Sequence, residues 1–427
     1  MKTVTFYVLA MPFLLAVLLS FPGCESKTQI ANTPPGNITL SVSKCFIETG
    51  GAVTLGGSAI DDDGDPLTFR WTATAGSFYP ASATGPSVQW TAPSTAGPVT
   101  ISMSVTDDIE TVTKAHNITV CTRFPSPVPA ATTIMITNTG FVYIVKNANP
   151  LVIPSTATLT IEPGVTIVFD VPAGGFEAFG RIVAEGTPDK KIRFRGNTCG
   201  SGSGLWDGIY LTGPYSEAIF RNVELSASSN GMQVMNGAKL TLDRSSVYDN
   251  SNIGISILTE ASQAHILSSD IWDNGKGIEI ENAHVEIKSS SVRYNVANGI
   301  KISYSFSATK VTTIDSTTIA NNGANGIELS SWAAPMIRYC SISANGEESG
   351  PGYAIKLAGY TGSDTMHAEH NFWGAGNTTE EKIELVIFDG IDQAGLPYVG
   401  YVPWLNMSPE PLKANSAGGA KERPWAR

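Results

Sequence analysis

An aromatic residue, an acid and an amide stand together twice, as Tyr248-Asp249-Asn250 and Trp272-Asp273-Asn274. Arg293-Tyr294-Asn295 follows as a third, altered version. Hydrolysis of a glycosidic bond takes two carboxyl groups about 5–9 Å apart, one an acid and the other a base or nucleophile. Asp249 and Asp273 could form such a pair if the fold stacks them, since equivalent residues on neighbouring strands lie about 5 Å apart. Asp243 and Asp270 fall in neighbouring columns. Tyr248, Trp272, Arg293 and Tyr294 suit a different task, because an aromatic ring covers the apolar face of a sugar while charged groups take its hydroxyls. Three readings of the patch stand side by side: ordinary surface with Asp-Asn turn chemistry, a glycan-binding face, and an active site.

Other residues invite metal or thiol chemistry. Asp61, Asp62, Asp63 and Asp65 lie in "DDDGDP", and calcium wants several oxygens. The EF-hand spacing and its closing Glu are absent, and a solvated turn between strands also accounts for the run. Asp61, Asp63 and Asp65 are the candidate ligands, and calcium is the one cofactor considered. His367 and His370 have a metal-compatible spacing without an apparent third ligand, and the preferred reading is that they are capping residues at the end of a domain. Cys45 and Cys121 bracket one domain and are expected to form a disulfide, worth about 4 kcal/mol in the chain-entropy account. Cys199 and Cys340 are expected as free thiols.

The elements that would position these residues are strands. Only 15% of the 427 residues are charged, Gly reaches 42 and Pro 25, and long helix-period stretches are absent. Such a composition suits an all-β chain with many turns. The net charge is −11, and an acidic chain without a basic cluster repels phosphate backbones, so nucleic acid is not an expected partner.

Lys2 is the only charge before Glu25, and an apolar run fills Val8 to Phe21 before "SFPGC". That order marks an export signal over residues 1–23. With Cys24 directly after Gly23, the segment resembles a bacterial lipoprotein signal. The resemblance implies lipidation of Cys24, membrane attachment through the lipid and, with no Asp after Cys24, sorting to the outer membrane. No second apolar span of about 18 residues follows. Residues 24–36 read as a polar tether.

From 37 to 122, short alternating runs are separated by turn signals, as in a β-sandwich. "DPLTFRW", "WTAP" and "GPVTISMSVTD" resemble bacterial Ig-like domains of the polycystic-kidney-disease-repeat type, which implies that Trp71 fills the core. "RFPSPVPA" opens a Pro-rich linker assigned to 123–137. A β-domain with its cap is expected over 138–410, and a disordered tail over 411–427.

The β-domain repeats. Asn250, Asn274, Asn295, Asn322 and Asn345 each follow one apolar residue by three positions and another by eight. Gly254, Gly277, Gly299 and Gly326 recur at intervals of 23, 22 and 27. A period in the low twenties without helical periodicity indicates a solenoid of three short strands per coil. Alternation puts Ile300 and Ile327 inside and Lys301 and Glu328 outside. The outward column reads Gln233, Ser256, Glu279, Lys301, Glu328, Lys356, and alternating charge there avoids repulsion between adjacent coils. The Asn column is expected to hydrogen-bond coil to coil at a turn whose backbone Asn tolerates.

"LTIEPGVTIVF", "GRIVAEGT", "IRFRG", "WDGIYL", the "NG-GI" coils and the closing "NFWGAGN…IFDGID…VGYVPWL" resemble the pectate-lyase-like right-handed β-helix repeat family, specifically exported members without assigned activity. The resemblance implies an Ig-like β-sandwich followed by a right-handed parallel β-helix, capped over residues 371–405 by Trp373, Tyr401 and Trp404. The fold hosts lyases, hydrolases, adhesins and passive spacers. Strings that mark polygalacturonase-type hydrolases are not found, nor is the pectate-lyase calcium site with its following Arg. The expectation is non-catalytic binding of polysaccharide or another envelope component. A lyase or hydrolase acting through the acidic patch, and a structural or adhesive rod without a small ligand, are the alternatives.

Overall fold

The computed structural model describes residues 31–125, 133–200, 202–305, 312–346, 352–362 and 365–409. Cys24, the export signal and the expected tail lie outside the described residues. Among those described, no helix is long and apolar enough to cross a membrane.

Residues 36–123 form the sandwich. One sheet pairs Gly36–Val42, Ala52–Ile60, Ser87–Thr91 and Ser77–Tyr79 antiparallel. The other holds Thr68–Ala73, Gly97–Thr106 and Thr111–Arg123, with Phe46–Glu48 parallel to the last of these. Alternation sends Val99, Ile101, Met103 and Val105 inward against Trp71 and Trp90, all buried. Each indole also hydrogen-bonds a turn carbonyl, Trp71 that of Gly85 at 2.9 Å and Trp90 that of Ala75 at 3.1 Å.

The repeats wind into a β-helix with three parallel sheets. A front sheet of ten strands runs from Leu151–Ile153 to Ile387–Phe388, and a back sheet of nine runs from Thr133–Ile136 to Met336–Arg338. The flank sheet runs from Tyr143–Val145 to Ser341–Ser343. One coil shows the cycle: Ile253–Leu258 in front, Gln263–Leu267 behind, Asp270–Trp272 on the flank, then Lys276–Glu281 in front again. Ile300 and Ile327 are 0% exposed, while Lys301 and Glu328 beside them are half-buried on the outer face. The outward column pairs in the expected register, Glu279 with Lys301, Lys301 with Glu328 and Glu328 with Lys356. Lys301 and Glu328 approach to 3.7 Å.

Two ladders hold the corners. At the flank-to-front corner, the Asn274 Oδ1 accepts from the backbone N–H of Asn250 (3.2 Å) and from its Nδ2 (2.7 Å). Asn295 serves Asn274 in the same way at 3.1 and 3.0 Å, and Asn322 serves Asn295 at 3.2 and 2.9 Å. These side chains are buried, so each coil supplies the acceptor that its predecessor's buried donors require. The left-handed backbone falls one residue before the ladder Asn rather than on it, at Asp249, Asp273, Tyr294, Asn321 and Ala344 (φ 52–59). At the back-to-flank corner a second ladder uses hydroxyls: Ser269 Oγ accepts from the Ser245 N–H (3.1 Å), Ser290 Oγ from Ser269 (3.2 Å) and Thr317 Oγ1 from Ser290 (3.4 Å). The recurring glycine is steric. A Cβ on Gly277 would lie 2.2 Å from the carbonyl oxygen of Gly299 on the next coil.

The two domains meet through continuous structure. Thr111–Arg123 is antiparallel to its sandwich neighbour, while Thr122 and Arg123 pair parallel with Tyr143 and Ile144 of the β-helix. The sandwich thereby covers the first open strand edge of the flank sheet. Phe124, placed in the expected linker, packs in the β-helix core, and Thr133–Ile136 is the first back strand. Residues 126–132 of that segment lie outside the described residues.

The disulfide expected between Cys45 and Cys121 is not formed. Cys45 bonds Cys199, and Cys121 is a buried free thiol, as is Cys340. The expectation of a free Cys199 is corrected with it. Cys121 is fully buried within the strand Thr111–Arg123, whereas Cys45 lies in the loop that meets the first coils. The bond spans 154 positions, a loop worth about 5 kcal/mol in the chain-entropy account. Around it, Asn197 Nδ2 donates to the Phe46 carbonyl (2.7 Å) and Lys44 pairs with buried Asp170 (2.8 Å). The Arg195 guanidinium sits 5.0 Å from the Phe46 ring centre.

The far end is closed by Ile383 of the short helix Glu380–Glu384, which Thr379 caps, together with Ile387, Trp373 and Tyr401. Trp404 packs against the same cluster.

Candidate functional site

On the flank sheet the outward residues make two parallel rows. Register places Arg193, Glu224, Ser246, Asp270 and Ser291 in one row, and Arg195, Ser226, Tyr248, Trp272 and Arg293 in the other. Strand alternation supplies both rows, since Val247, Ile271 and Val292 between them point into the core at 0% exposure.

Tyr248 and Trp272 stack with ring centres 4.7 Å apart and planes 5° from parallel. Both are half-buried, and one face of each ring is turned to the other across the one-coil step. Arg293 continues the row, its guanidinium 5.5 Å from the Tyr294 ring centre. Burial raises the Tyr248 phenol, the Glu224 carboxylate adds to this, and a hydrogen bond with Ser226 opposes it.

In the neighbouring row Glu224 takes Lys191 at 2.9 Å and Arg193 at 2.7 Å. The Asp270 carboxyl is held above the usual carboxylate range, chiefly by burial, against the pull of Arg293, a hydrogen bond from Ser291 and Lys191. Asp249 and Asp273 are on successive corners at the strip's edge, with left-handed backbone (φ 59 and 57), and Tyr294 holds the next corner. The strand face itself carries Tyr248, Trp272 and Arg293. Asp270, Glu224 and Arg193 complete it, with Lys191 just before Ile192–Gly196, and of these only Asp270 stands out in the sequence, as a neighbour of the repeated triplets.

Around the corner, the front sheet has a second polar network. The Tyr210 hydroxyl donates to Asp207 at 2.7 Å, and Asn230 Nδ2 donates to the Tyr210 oxygen at 3.1 Å. Asn252 Nδ2 in turn donates to Asn230 at 2.7 Å. Burial and the Asp207 hydrogen bond push the Tyr210 phenol up to about 12.

Residues 37–120 match the PKD domain family, and residues 186–342 match the family described as right handed beta helix region. The chain joins a PKD domain to a right-handed β-helix. No curated protein matches it. Among solved structures, the Azotobacter vinelandii mannuronan C-5 epimerase AlgE6 A-module is 16% identical over 54% of this chain and 77% of that one, with a TM-score of 0.36. The periplasmic alginate epimerase AlgG is 14% identical over 62% and 72%, with a TM-score of 0.24. The ZirS C-terminal domain is 19% identical over 29% and 88%, with a TM-score of 0.17. At these values none carries an argument about the chemistry of this chain.

In the PKD domain, Asp61, Asp63 and Asp65 bring carboxylate oxygens within 4.8 Å of one another. Asp61 Oδ1 accepts the N–H groups of Asp63 and Asp65, both at 3.0 Å, leaving its buried Oδ2 without a partner. The Asn32 side chain, which donates to Asp107 at 3.0 Å, also has a buried oxygen without a partner. Oxygen donors of this kind fit calcium and give nothing soft for zinc or copper. In the β-helix cap, His367 pairs with Glu369 at 2.8 Å and His370 stacks on Tyr339 with ring centres 5.6 Å apart. Both histidines line a cavity of about 360 Å³ beside Met336, Arg338 and Met366.

Proposed function

We propose that the flank strip binds polysaccharide without cleaving it, and that the protein works at the cell envelope, held to a membrane by lipid on Cys24. The observation that carries the reading is the stacked Tyr248–Trp272 pair, two aromatic side chains held against each other on adjacent coils of an outer strand face. An aromatic face offers a sugar ring a large apolar contact at small entropic cost. Asp270, Ser246, Ser291 and Arg293 beside it supply the polar atoms that orient hydroxyls. Binding is favoured over cleavage by the carboxyl positions. Asp270, whose carboxyl is raised by burial, is separated from Glu224 by the Ser246 coil, and Glu224 is occupied by two cations. Asp249 and Asp273 sit at the corner rather than across the aromatic surface.

The test is a polysaccharide panel read twice, for retention of the protein and for new reducing ends or unsaturated products. Retention without products is the expected result. Products would make the protein a hydrolase or lyase, and retention on no polysaccharide would leave a rod without such a ligand. Calcium at Asp61, Asp63 and Asp65 is a separate proposal, resting on the gathered carboxylates and the unpartnered buried oxygen of Asp61. It would brace the turn after Ala52–Ile60 without taking part in sugar binding.

A further inference from the structure

Besides the flank strip, the junction of the two domains gathers three soft or borderline metal ligands. Cys45 Sγ, Cys199 Sγ and His116 Nε2 all lie within 4.8 Å of one another. Cys45 Sγ is 3.0 Å from His116 Nε2. Each comes from a different element: Cys45 from the loop before Phe46–Glu48, His116 from the long strand Thr111–Arg123, and Cys199 from the loop after Ile192–Gly196. The sandwich supplies two of the ligands and the β-helix the third.

We propose that this cluster is a redox-gated site for zinc, so that the junction has two interchangeable clasps. In the oxidised protein the clasp is the Cys45–Cys199 disulfide. An external dithiol opens it by thiolate attack on a disulfide sulfur. Cys199 is exposed and Cys45 half-buried, so the attack falls on Cys199 Sγ and Cys45 leaves as thiolate beside His116. The dithiol's second thiol then resolves the mixed disulfide. In sum, the dithiol gives up two electrons and two protons and becomes a disulfide, and Cys45 and Cys199 become thiols. A zinc ion then takes both sulfurs as thiolates, expelling their two protons, and takes His116 Nε2 as third ligand. Two thiolates, one imidazole and one open position for water form a recognised zinc donor set.

The surroundings favour a preformed site. The continuous flank sheet and the Asn197–Phe46 and Lys44–Asp170 contacts hold the two domains together without the disulfide. Reduction therefore frees the sulfurs without dispersing them. Among the described residues, the other two thiols do not compete. Cys121 and Cys340 are 0% exposed, and burial pushes both up to about 12.

The experiment uses the full mature chain, reduced with a phosphine, and titrates zinc against a chromogenic chelator. Cobalt serves as a spectroscopic substitute that reports thiolate ligation by its charge-transfer absorption. One zinc per chain is expected, bound at least a hundredfold more tightly by the reduced than by the oxidised protein. Zinc should also restore most of the melting temperature lost on reduction. His116→Ala should still form the disulfide and, once reduced, bind zinc at least tenfold more weakly. A reduced protein that binds zinc no better than the Cys45→Ser/Cys199→Ser variant would overturn the site. Unchanged affinity in reduced His116→Ala would overturn the three-ligand assignment, and circular dichroism of its oxidised form separates a lost ligand from a lost fold.

Discussion

Asn274 satisfies two donors of Asn250 with one oxygen, while its own Nδ2 reaches the Val247 and Trp272 carbonyls and Asn295. Truncation to alanine strands buried groups on both adjacent coils, each costing about 1–3 kcal/mol. Asn274→Ala is accordingly expected to lose about 2–4 kcal/mol in urea unfolding, far more than an alanine at an exposed outward position. Asp270 gives the opposite sign. Its carboxyl is raised by burial, so the folded state holds the proton more tightly than the unfolded chain does. Ionisation then costs stability above the folded pKa, and the cost vanishes as pH falls below the ordinary value of 3.8. Asp270→Asn should raise the melting temperature near pH 7 and bring no gain near pH 3. A carboxylate kept at such a cost, beside a stacked aromatic pair, is what a binding face retains at the expense of stability.

At the scale of the element, the β-helix was legible because its signals repeat. A buried Asn and a crowded Gly at each coil are residue types that few other positions tolerate. The hydroxyl ladder was hidden because Ser245, Ser269, Ser290 and Thr317 do one job with common residues, and Cys340 ends the column. The site was half legible. Tyr248, Trp272 and Arg293 fall on one strand face by simple register, but Glu224 and its two cations come from earlier coils outside the repeated triplet. The disulfide was misread by assuming that cysteines pair within a domain, whereas sheet continuity carries Cys199 to Cys45. Calcium belongs to this scale too. Extracellular calcium modules bind at about 0.1–1 mM. About 10 mM calcium should therefore stabilise the PKD domain by roughly 1–3 kcal/mol, an increment seen by calorimetry, reversed by chelator and absent in Asp61→Asn.

For the whole molecule, the sandwich covers the flank-sheet edge at one end of the β-helix and the aromatic cap closes the other end. The junction of strand, disulfide and ion pairs makes the PKD domain a rigid base rather than a bead on a tether. Lipid on Cys24 would hold that base at the membrane and hold the flank strip outward. Cys24→Ser should move the protein from the membrane fraction to the soluble exported fraction with its melting temperature unchanged. Most directly, the account rests on the Tyr248–Trp272 surface, and the decisive measurement is titration of a polysaccharide retained in the panel against wild-type protein and Trp272→Ala. Loss of affinity by at least tenfold, with an unchanged circular dichroism spectrum, is the predicted result. Equal affinity in the two proteins would contradict it.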